Sequence, residues 1–310
     1  MLDQALSPRY DVASLAAIGR REVQEDAIVA HFPAGAGAGF VVLADGMGGH
    51  SAGDVASRIV VSAVSDEMRD LIGHPAYLER NIGPALRGAV DEANRQVRTQ
   101  VLECPDQRGM GATLVATVIL GNRLYWISVG DSPLFLLRGD RLQRLNVDHS
   151  MARLLDAQVR SGAISRDQAD RDPDRHCLTS VLFGHPVPEI DCRESPLELG
   201  QGDILLAASD GILALGETGI AETLWQFRDQ PSAEIGARLM QRISLKDDPE
   251  QDNVTLCVVR VALPEAAARR AEIVAARALA RRIGAAPAPL GLVHSSASAP
   301  AVRVFCRNEG

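Results

Sequence analysis

Apolar and polar positions recur along most of the chain with the period of a strand or of a helix. Two strands are predicted between about residues 10 and 32, around the turn-like Gly19-Arg20-Arg21-Glu22, and the apolar run 40–44 predicts a buried strand. Apolar residues at helical spacing predict two amphipathic helices, at 51–71 and 84–102. The first third of the chain therefore contributes three strands and two helices.

Strand patterns dominate the middle of the chain. Two hairpins are predicted, turning at Gly121-Asn122 and around Gly139-Asp140, from the strands 112–120, 124–129, 134–137 and 142–145. Further on, the pattern predicts a strand, two helices and a last strand, at 203–208, 218–227, 232–243 and 253–261. Strand pairs and helices in separate blocks, without repeated strand–helix–strand units, predict antiparallel sheets with segregated helices, an α+β fold.

A polar insert interrupts the strands from residue 150 to about 172, with Pro173, Pro186 and Pro188 just beyond it. It carries many charges and two short helical patterns, at 151–159 and 165–171. An insert of this kind between core strands is either a mobile flap beside a functional site or a solvated connection. The pattern alone leaves both interpretations open.

The composition changes after Leu263. Residues 264–283 are rich in Ala and Arg, which predicts a basic helix that is either solvated or docks a partner. Residues 285–300 are dominated by Ala, Pro and Ser, a composition typical of linkers and disorder. We therefore predict one catalytic domain over 1–263, followed by an Ala/Arg-rich helix and an Ala/Pro/Ser-rich tail over 264–310.

Composition and charge narrow the class of protein. The chain has 310 residues, of which 46% are hydrophobic, enough for a sizeable core. Its formal net charge of -8 argues against nucleic acid as the main partner. The 5 cysteines form no C-x-x-C pair, which favours reduced thiols, and Cys257 lies in an apolar run typical of the core. With no signal-peptide pattern and no membrane-length apolar stretch, we expect a cytoplasmic location.

Candidate chemistry comes from carboxylates at the ends of predicted strands: Glu25, Asp26, Asp45, Asp131, Asp210 and Asp252. A single Asp-Gly after an apolar run is more often a turn than a ligand. Six such carboxylates would repel one another if they met in space without cations among them. Carboxylate, carbonyl and water ligands suit Mg²⁺ or Mn²⁺, whereas the histidines and cysteines show no zinc spacing.

Two hard cations in one site indicate phosphate ester hydrolysis, because a metal pair can ready a water and polarise a phosphoryl oxygen. The substrate's phosphate would then need a cation from the protein. Arg21 lies four residues before Glu25, and a guanidinium matches the paired oxygens of a phosphate. Its neighbour Arg20 is the alternative.

These residues belong to seven short motifs that follow one another between about residues 10 and 262. The motifs are Gly19-x-Arg21-x-x-x-Glu25-Asp26, Asp45-Gly46-Met47-Gly48-Gly49-His50, Gly111-Ala112-Thr113, Gly130-Asp131-Ser132, Asp148-His149-Ser150, Ser209-Asp210-Gly211 and Asp252-Asn253. Their type and order resemble those of the metal-dependent Ser/Thr protein phosphatases, the PPM or type 2C family, in its bacterial form. One match would carry little weight, whereas seven in order form a specific signal.

The resemblance implies a fold and a set of ligands. The family fold is a pair of packed antiparallel β-sheets, a β-sandwich, flanked by helices in a four-layer αββα arrangement. By similarity, Asp45 would bridge two Mn²⁺ or Mg²⁺ ions, and the carbonyl oxygen of Gly46 would bind one of them. Asp210 and Asp252 would hold the other ion.

The resemblance also implies roles for residues around that pair of ions. Glu25 and Asp26 would act through metal-bound water, and Asp131 with Asp210 would form a third, weaker metal site. Arg21 would bind the substrate phosphate. The insert, extended to about residue 186, would correspond to the variable flap of the family.

One position departs from part of the family. Some eukaryotic members carry a His two residues after the bridging Asp, as a proposed acid for the leaving group, and Met47 stands there in this chain. The leaving-group acid is therefore open, and we favour water on the metal. For His50 we expect a structural role in its loop, and for His149 a role in orienting the turn that enters the insert.

The function implied by the resemblance is hydrolysis of phosphoserine and phosphothreonine in proteins, reversing a bacterial Ser/Thr kinase. The alternative is a phosphoprotein-binding regulator of the same fold with weak catalysis, but such a protein should lack a metal carboxylate and none is missing. A calcineurin-like enzyme would need His-rich motifs that are absent. As partners we expect phosphorylated proteins and a cognate kinase, neither nucleic acid nor membrane, and we expect a monomer.

Overall fold

Two antiparallel sheets form the centre of the molecule in this computed structural model, which describes residues 9–33, 37–48 and 52–262. The first sheet has the strand order β1 (Arg9–Ala17), β11 (Val254–Ala262), β10 (Ile204–Ala208), β7 (Leu134–Arg138) and β8 (Arg141–Arg144). The second has the order β2 (Asp26–His31), β3 (Ala38–Met47), β5 (Leu114–Leu120), β6 (Arg123–Val129) and β9 (Asp191–Glu198), with the short β4 (Gly111–Ala112) paired to β3.

Helices cover the outer face of each sheet. Against the second sheet pack α1 (Ala52–Ile72), α2 (Pro75–Arg80) and α3 (Ile82–Glu103). Against the first sheet pack α6 (Gly216–Gln226) and α7 (Ser232–Ser244). A separate apolar core lies between the sheets, so the layers run helix, sheet, sheet, helix. The α+β fold and the four-layer αββα sandwich are confirmed.

The central strands read as unbroken apolar runs because both of their faces are buried. In β3, Phe40 and Val42 pack against the helices, while Val41 between them packs against the opposite sheet. In β11, Val258 points to the helical side and Val259 to the space between the sheets. Period-2 alternation therefore sorts side chains between two cores, and no polar face remains to show as alternating hydropathy.

Most predicted elements are confirmed within a few residues. The hairpins turn at Gly121-Asn122 and Gly139-Asp140, where Leu120 pairs with Arg123 and Arg138 with Arg141. The insert contains α4 (Met151–Arg160) and α5 (Arg166–Asp170). Cys257 is fully buried, as its apolar context predicts.

Among the described residues, one strand and one α-helix escaped the sequence pattern. The edge strand β9 has mostly exposed positions and contains Pro196, a residue that edge strands tolerate and central strands do not. Helix α2 has only six residues, fewer than two turns, which is too short for a helical period to show. The tail 264–310 and its predicted helix lie outside the described residues. No helix within the described ranges is long and apolar enough to cross a membrane.

Candidate metal centre

Strand directions bring three predicted site carboxylates to one edge of the second sheet. Asp26, the first residue of β2, is the antiparallel register partner of Asp45 near the end of β3. β6 is antiparallel to β5 and β5 to β3, so β3 and β6 run the same way. Asp131, just past the end of β6, therefore lies at the same edge as Asp45.

The first sheet contributes two more carboxylates at its matching edge. Asp210 follows the end of β10 and Asp252 precedes the start of β11, and these two strands are antiparallel neighbours. The two sheets are joined here, because the Ser209 hydroxyl donates a hydrogen bond to Asp26 Oδ2 at 2.8 Å. These five carboxylates therefore meet although Asp26 and Asp252 are 226 positions apart in the chain.

Glu25 reaches the same edge through a close contact between backbones. Its carbonyl oxygen accepts the Gly46 amide at 3.0 Å, and its carboxylate accepts the amide of Gly53 at the start of α1. A Cβ on Gly46 would lie 2.0 Å from the Gly53 carbonyl oxygen. Glycine at both positions lets β3, α1 and the start of β2 approach around the Gly46 carbonyl.

Burial and mutual repulsion of the carboxylates favour binding of a cation within the cluster. Burial is the largest cause that raises the pKa of Asp45 well above its ordinary value, and repulsion from Asp26, Asp210, Asp131 and Asp252 adds to it. Burial likewise raises the pKa of Asp26 to about 6 and that of Asp131 to about 7, with Asp210 adding repulsion to both. The ionised form of these carboxyls is therefore unfavourable unless a cation lies among them.

Two oxygens of the cluster lack donors. Asp26 Oδ1 and Asp210 Oδ1 are buried and accept no hydrogen bond from any described residue. Such orphaned acceptors are uncommon in folded proteins and call for a partner such as an ion. The cluster contains carboxylate and carbonyl oxygens, which are the donors of Mg²⁺ and Mn²⁺ sites.

The carboxylates converge without forming a closed set of ligands. Among the described residues, no three of His, Cys, Asp or Glu are grouped so that they could hold one ion. Mg²⁺, however, usually keeps several waters and takes only one or two carboxylates, so its sites need no such group. We therefore conclude that the cluster fits hydrated divalent cations and does not fit a site built from protein ligands alone.

The two candidate arginines differ clearly in position. The Arg21 guanidinium donates to Asp252 Oδ2 at 2.6 Å, and Asp252, Asp210 and Glu25 all raise its pKa. Arg20 instead pairs with Asp247, and both of those side chains are largely exposed. Arg21 therefore faces the carboxylate cluster and Arg20 faces away from it.

Met47 lies at the rim of the cluster, at the end of β3, with 42% of its surface exposed. It pairs through its backbone with Gly111 of β4. His50 lies outside the described residues. His149 is buried beside the turn that contains Asp131, and its contacts are described below.

Two residues that hold the cluster together were present in the motifs but received no role from the sequence. The Thr113 hydroxyl accepts the Asp45 amide at 3.0 Å and shares a hydrogen bond with Ser132. The Asn253 side chain accepts the Glu25 amide at 2.8 Å and donates to two carbonyl oxygens of the turn between β1 and β2. Their adjacency to motif glycines and carboxylates was the only available signal.

Comparisons with known proteins agree with this geometry. A family profile described as Protein phosphatase 2C matches residues 16–247. A curated relative, the serine/threonine protein phosphatase PstP of Mycobacterium tuberculosis, is 34% identical over 227 residues, which cover 73% of this chain and 41% of that protein. The chain thus matches about two fifths of the length of that relative.

Solved structures share the fold. The Mycobacterium tuberculosis phosphatase PstP/Ppp superposes with a TM-score of 0.68 and 32% identity, covering 83% of this chain and 100% of that one. The catalytic domain of PstP in complex with two manganese ions gives a TM-score of 0.65 and 32% identity, covering 83% and 99%. With a family profile spanning most of the described residues and its carboxylates gathered at one edge, the chain belongs to the protein phosphatase 2C family.

Proposed function

We propose that the protein hydrolyses phosphoserine and phosphothreonine in other proteins, in a reaction that depends on Mn²⁺ or Mg²⁺. The observation that carries this proposal is the meeting of six carboxylates from both sheets, with Arg21 on their exposed side. The relatives named above are serine/threonine phosphatases, and one of them was solved with two manganese ions. Both facts support the same chemistry for this chain.

Each carboxylate has a role in this proposal. Asp45, central in the cluster, would contact both ions of a pair, and the Gly46 carbonyl one of them. Asp210 and Asp252 would hold the second ion from the opposite sheet. When bound, the ions would act as Lewis acids and lower the pKa of a coordinated water towards neutral pH.

The remaining acids lie on either side of this pair. Glu25 and Asp26 would accept hydrogen bonds from water around the ions, and Asp26 Oδ1 is a buried acceptor that has no donor within the described ranges. Asp131 would provide a third, weaker site together with Asp210, whose negative charge adds to the burial that raises the pKa of Asp131. The choice between Mn²⁺ and Mg²⁺ follows from availability, because both accept this donor set.

Arg21 would bind the phosphate of the substrate. Its guanidinium is more than half exposed and is held at the cluster by Asp252 alone among the described residues. A phosphate monoester offers paired oxygens that match the guanidinium fork. Arg21 would then orient the phosphorus atom towards the carboxylate cluster while its link to Asp252 fixes its position.

The alternative function, phosphoprotein binding without catalysis, finds less support. A relative that had lost catalysis should lack a carboxylate of the cluster, and all six are present and converge. As partners we propose phosphorylated proteins and the Ser/Thr kinase that modifies them.

An activity assay with matched variants tests the proposal. Wild type should hydrolyse p-nitrophenyl phosphate and a phosphothreonine peptide with Mn²⁺ or Mg²⁺ and stop in excess chelator. Asp45→Asn should lower turnover at least about 100-fold, because it removes the central charge of the cluster. Asp247→Asn makes the same chemical change at an exposed acid away from the cluster and should leave turnover unchanged. Undiminished activity in chelator, or an active Asp45→Asn, would refute the proposal.

A further inference from the structure

The motif Asp148-His149-Ser150 has no role in the function proposed above, yet its histidine is buried between two functional parts of the molecule. The His149 side chain is only 2% exposed. On one side it contacts the turn at Gly130 that leads into Asp131, and on the other side it contacts the insert. A buried polar side chain with contacts on both sides can transmit a change from one to the other.

The contact with the turn has two hydrogen bonds. The Gly130 amide donates to Nδ1 of His149 at 3.2 Å, and the His149 amide donates to the Gly130 carbonyl oxygen at 3.0 Å. Nδ1 can accept only when it carries no proton, so the ring is neutral with its proton on Nε2. Burial, which lowers the pKa of His149, favours the same neutral form.

The turn itself tolerates little change. Gly130 has φ +99°, and a Cβ there would lie 2.6 Å from Cγ2 of Thr113, the residue that holds the Asp45 backbone. Arg144 binds the Asp131 carbonyl oxygen at 2.5 Å, and Asn146 binds that of Ser132 at 2.9 Å. With the His149 bond to Gly130, three side chains of one segment hold the backbone of three successive residues, Gly130 to Ser132, around the Asp131 carboxylate.

His149 contacts the insert through both its backbone and its side chain. The His149 carbonyl oxygen accepts the Thr179 amide at 2.8 Å, and the next residue, Ser150, forms a β-bridge with Leu178. Nε2 of His149 lies 3.9 Å from Oε2 of Glu189, which also pairs with Arg153 of α4 at 2.7 Å. His149 therefore lies where the entry and the exit of the insert meet.

We propose that His149 is a positioning residue that couples the insert to the Asp131 turn, so that ion binding at Asp131 and the arrangement of the insert depend on each other. The proposal rests on the proposed function in one respect, namely that Asp131 binds an ion. The coupling runs through the Nδ1 acceptor, because that atom alone links the ring to the Gly130 amide.

Two isosteric substitutions separate this role from simple packing. In His149→Asn, Oδ1 can take the place of Nδ1 and accept the Gly130 amide. In His149→Gln, the amide group reaches the place of Nε2 and the Nδ1 acceptor is lost. His185→Gln is the matched control, because His185 lies at the exit of the insert, where its ring makes a tilted contact with the ring of Phe183.

Calorimetric titration with Mn²⁺ and amide hydrogen exchange over 150–186 provide the readouts. In wild type, Mn²⁺ should slow exchange in the insert. His149→Gln should weaken the weakest Mn²⁺ site about tenfold or more, the usual effect of losing a group that orients a ligand, and should abolish the protection of the insert. His149→Asn and His185→Gln should keep both properties, and their melting temperatures should stay near that of wild type.

Two results would overturn the coupling: His149→Gln behaving like wild type, or His149→Asn losing both properties to the same extent while still folded. If His149→Gln does not fold, His149→Asn decides alone by keeping or losing Mn²⁺ protection of the insert. Neither readout requires turnover. A wild type that binds Mn²⁺ with protection of the insert but hydrolyses nothing would therefore overturn the proposed function and leave the coupling supported.

Discussion

At the scale of single residues, the side chains that bear charge were predictable and those that hold them were not. Asp45 follows an apolar run directly and Asp210 follows one after Ser209, so their place at strand ends could be predicted from local pattern. Asn253 acts through the Glu25 amide, 228 positions away. A neutral side chain that bonds a distant backbone leaves no trace in local periodicity, so only its place in a motif pointed to it.

Arg21 and Arg20 offer a matched pair for the first prediction at this scale. Arg21→Ala should raise KM for a phosphopeptide about tenfold or more with a smaller change in kcat, because it removes binding of the ground-state phosphate. Arg20→Ala removes the same charge at the pair with Asp247 and should leave both constants near wild type. Steady-state kinetics with Mn²⁺ measures both; equal effects of the two substitutions would contradict a specific role of Arg21.

At the scale of elements, most strands and both hairpins could be predicted from apolar runs and turn dipeptides, whereas the order of strands in each sheet and the junctions at the cluster depend on tertiary contacts. The edge strand β9 was missed because most of its positions are exposed and half of its residues are charged. The junction of β3 and α1 is built on Gly46 against Gly53. Sequence showed these glycines but could not show which backbones they let approach.

The exposed Gly88 of helix α3 provides a control for a prediction about Gly46 at this junction. Gly46→Ala would place Cβ against the Gly53 backbone, so we expect a fall in melting temperature and loss of Mn²⁺-dependent activity. In Gly88→Ala, on α3, the new Cβ meets open space, and the protein should gain about 0.5–1 kcal/mol because alanine stabilises a helix interior. Thermal unfolding of both variants tests this; a Gly46→Ala protein as stable as wild type would show that the junction can relax.

At the scale of the whole molecule, the fold gathers like charges that destabilise it in the absence of cations. In the folded chain, burial raises the pKa of Asp26 to about 6 and that of Asp131 to about 7, both well above the ordinary value of an aspartate. Because these carboxyls ionise less readily in the folded chain than in the unfolded chain, they lower the free energy of unfolding as they lose their protons. Their stabilising contribution is fully present below about pH 4 and is lost as the pH rises through about 6 to 7. The α+β class was predictable from the order of the elements. The repulsion could be stated from the sequence only as a condition, because it exists only where the two sheets bring the carboxylates together.

A melting experiment measures that repulsion. In chelator, Asp131→Asn should melt above wild type at about pH 7.5, and the difference should shrink towards about pH 5, where the wild-type carboxyl becomes protonated. With Mn²⁺ at the higher pH, wild type should gain more in melting temperature than Asp131→Asn, because a ligand that binds the folded state stabilises it. A difference in chelator that does not change with pH would contradict the raised pKa of Asp131.

The gathering of carboxylates around hard cations is tested most directly by anomalous diffraction from crystals of the protein grown with Mn²⁺. We predict two strong peaks on either side of the Asp45 carboxylate, within coordination distance of Asp210, Asp252 and the Gly46 carbonyl oxygen. A crystal saturated with Mn²⁺ that shows no peak in contact with Asp45 would contradict the metal centre and the phosphatase chemistry that depends on it.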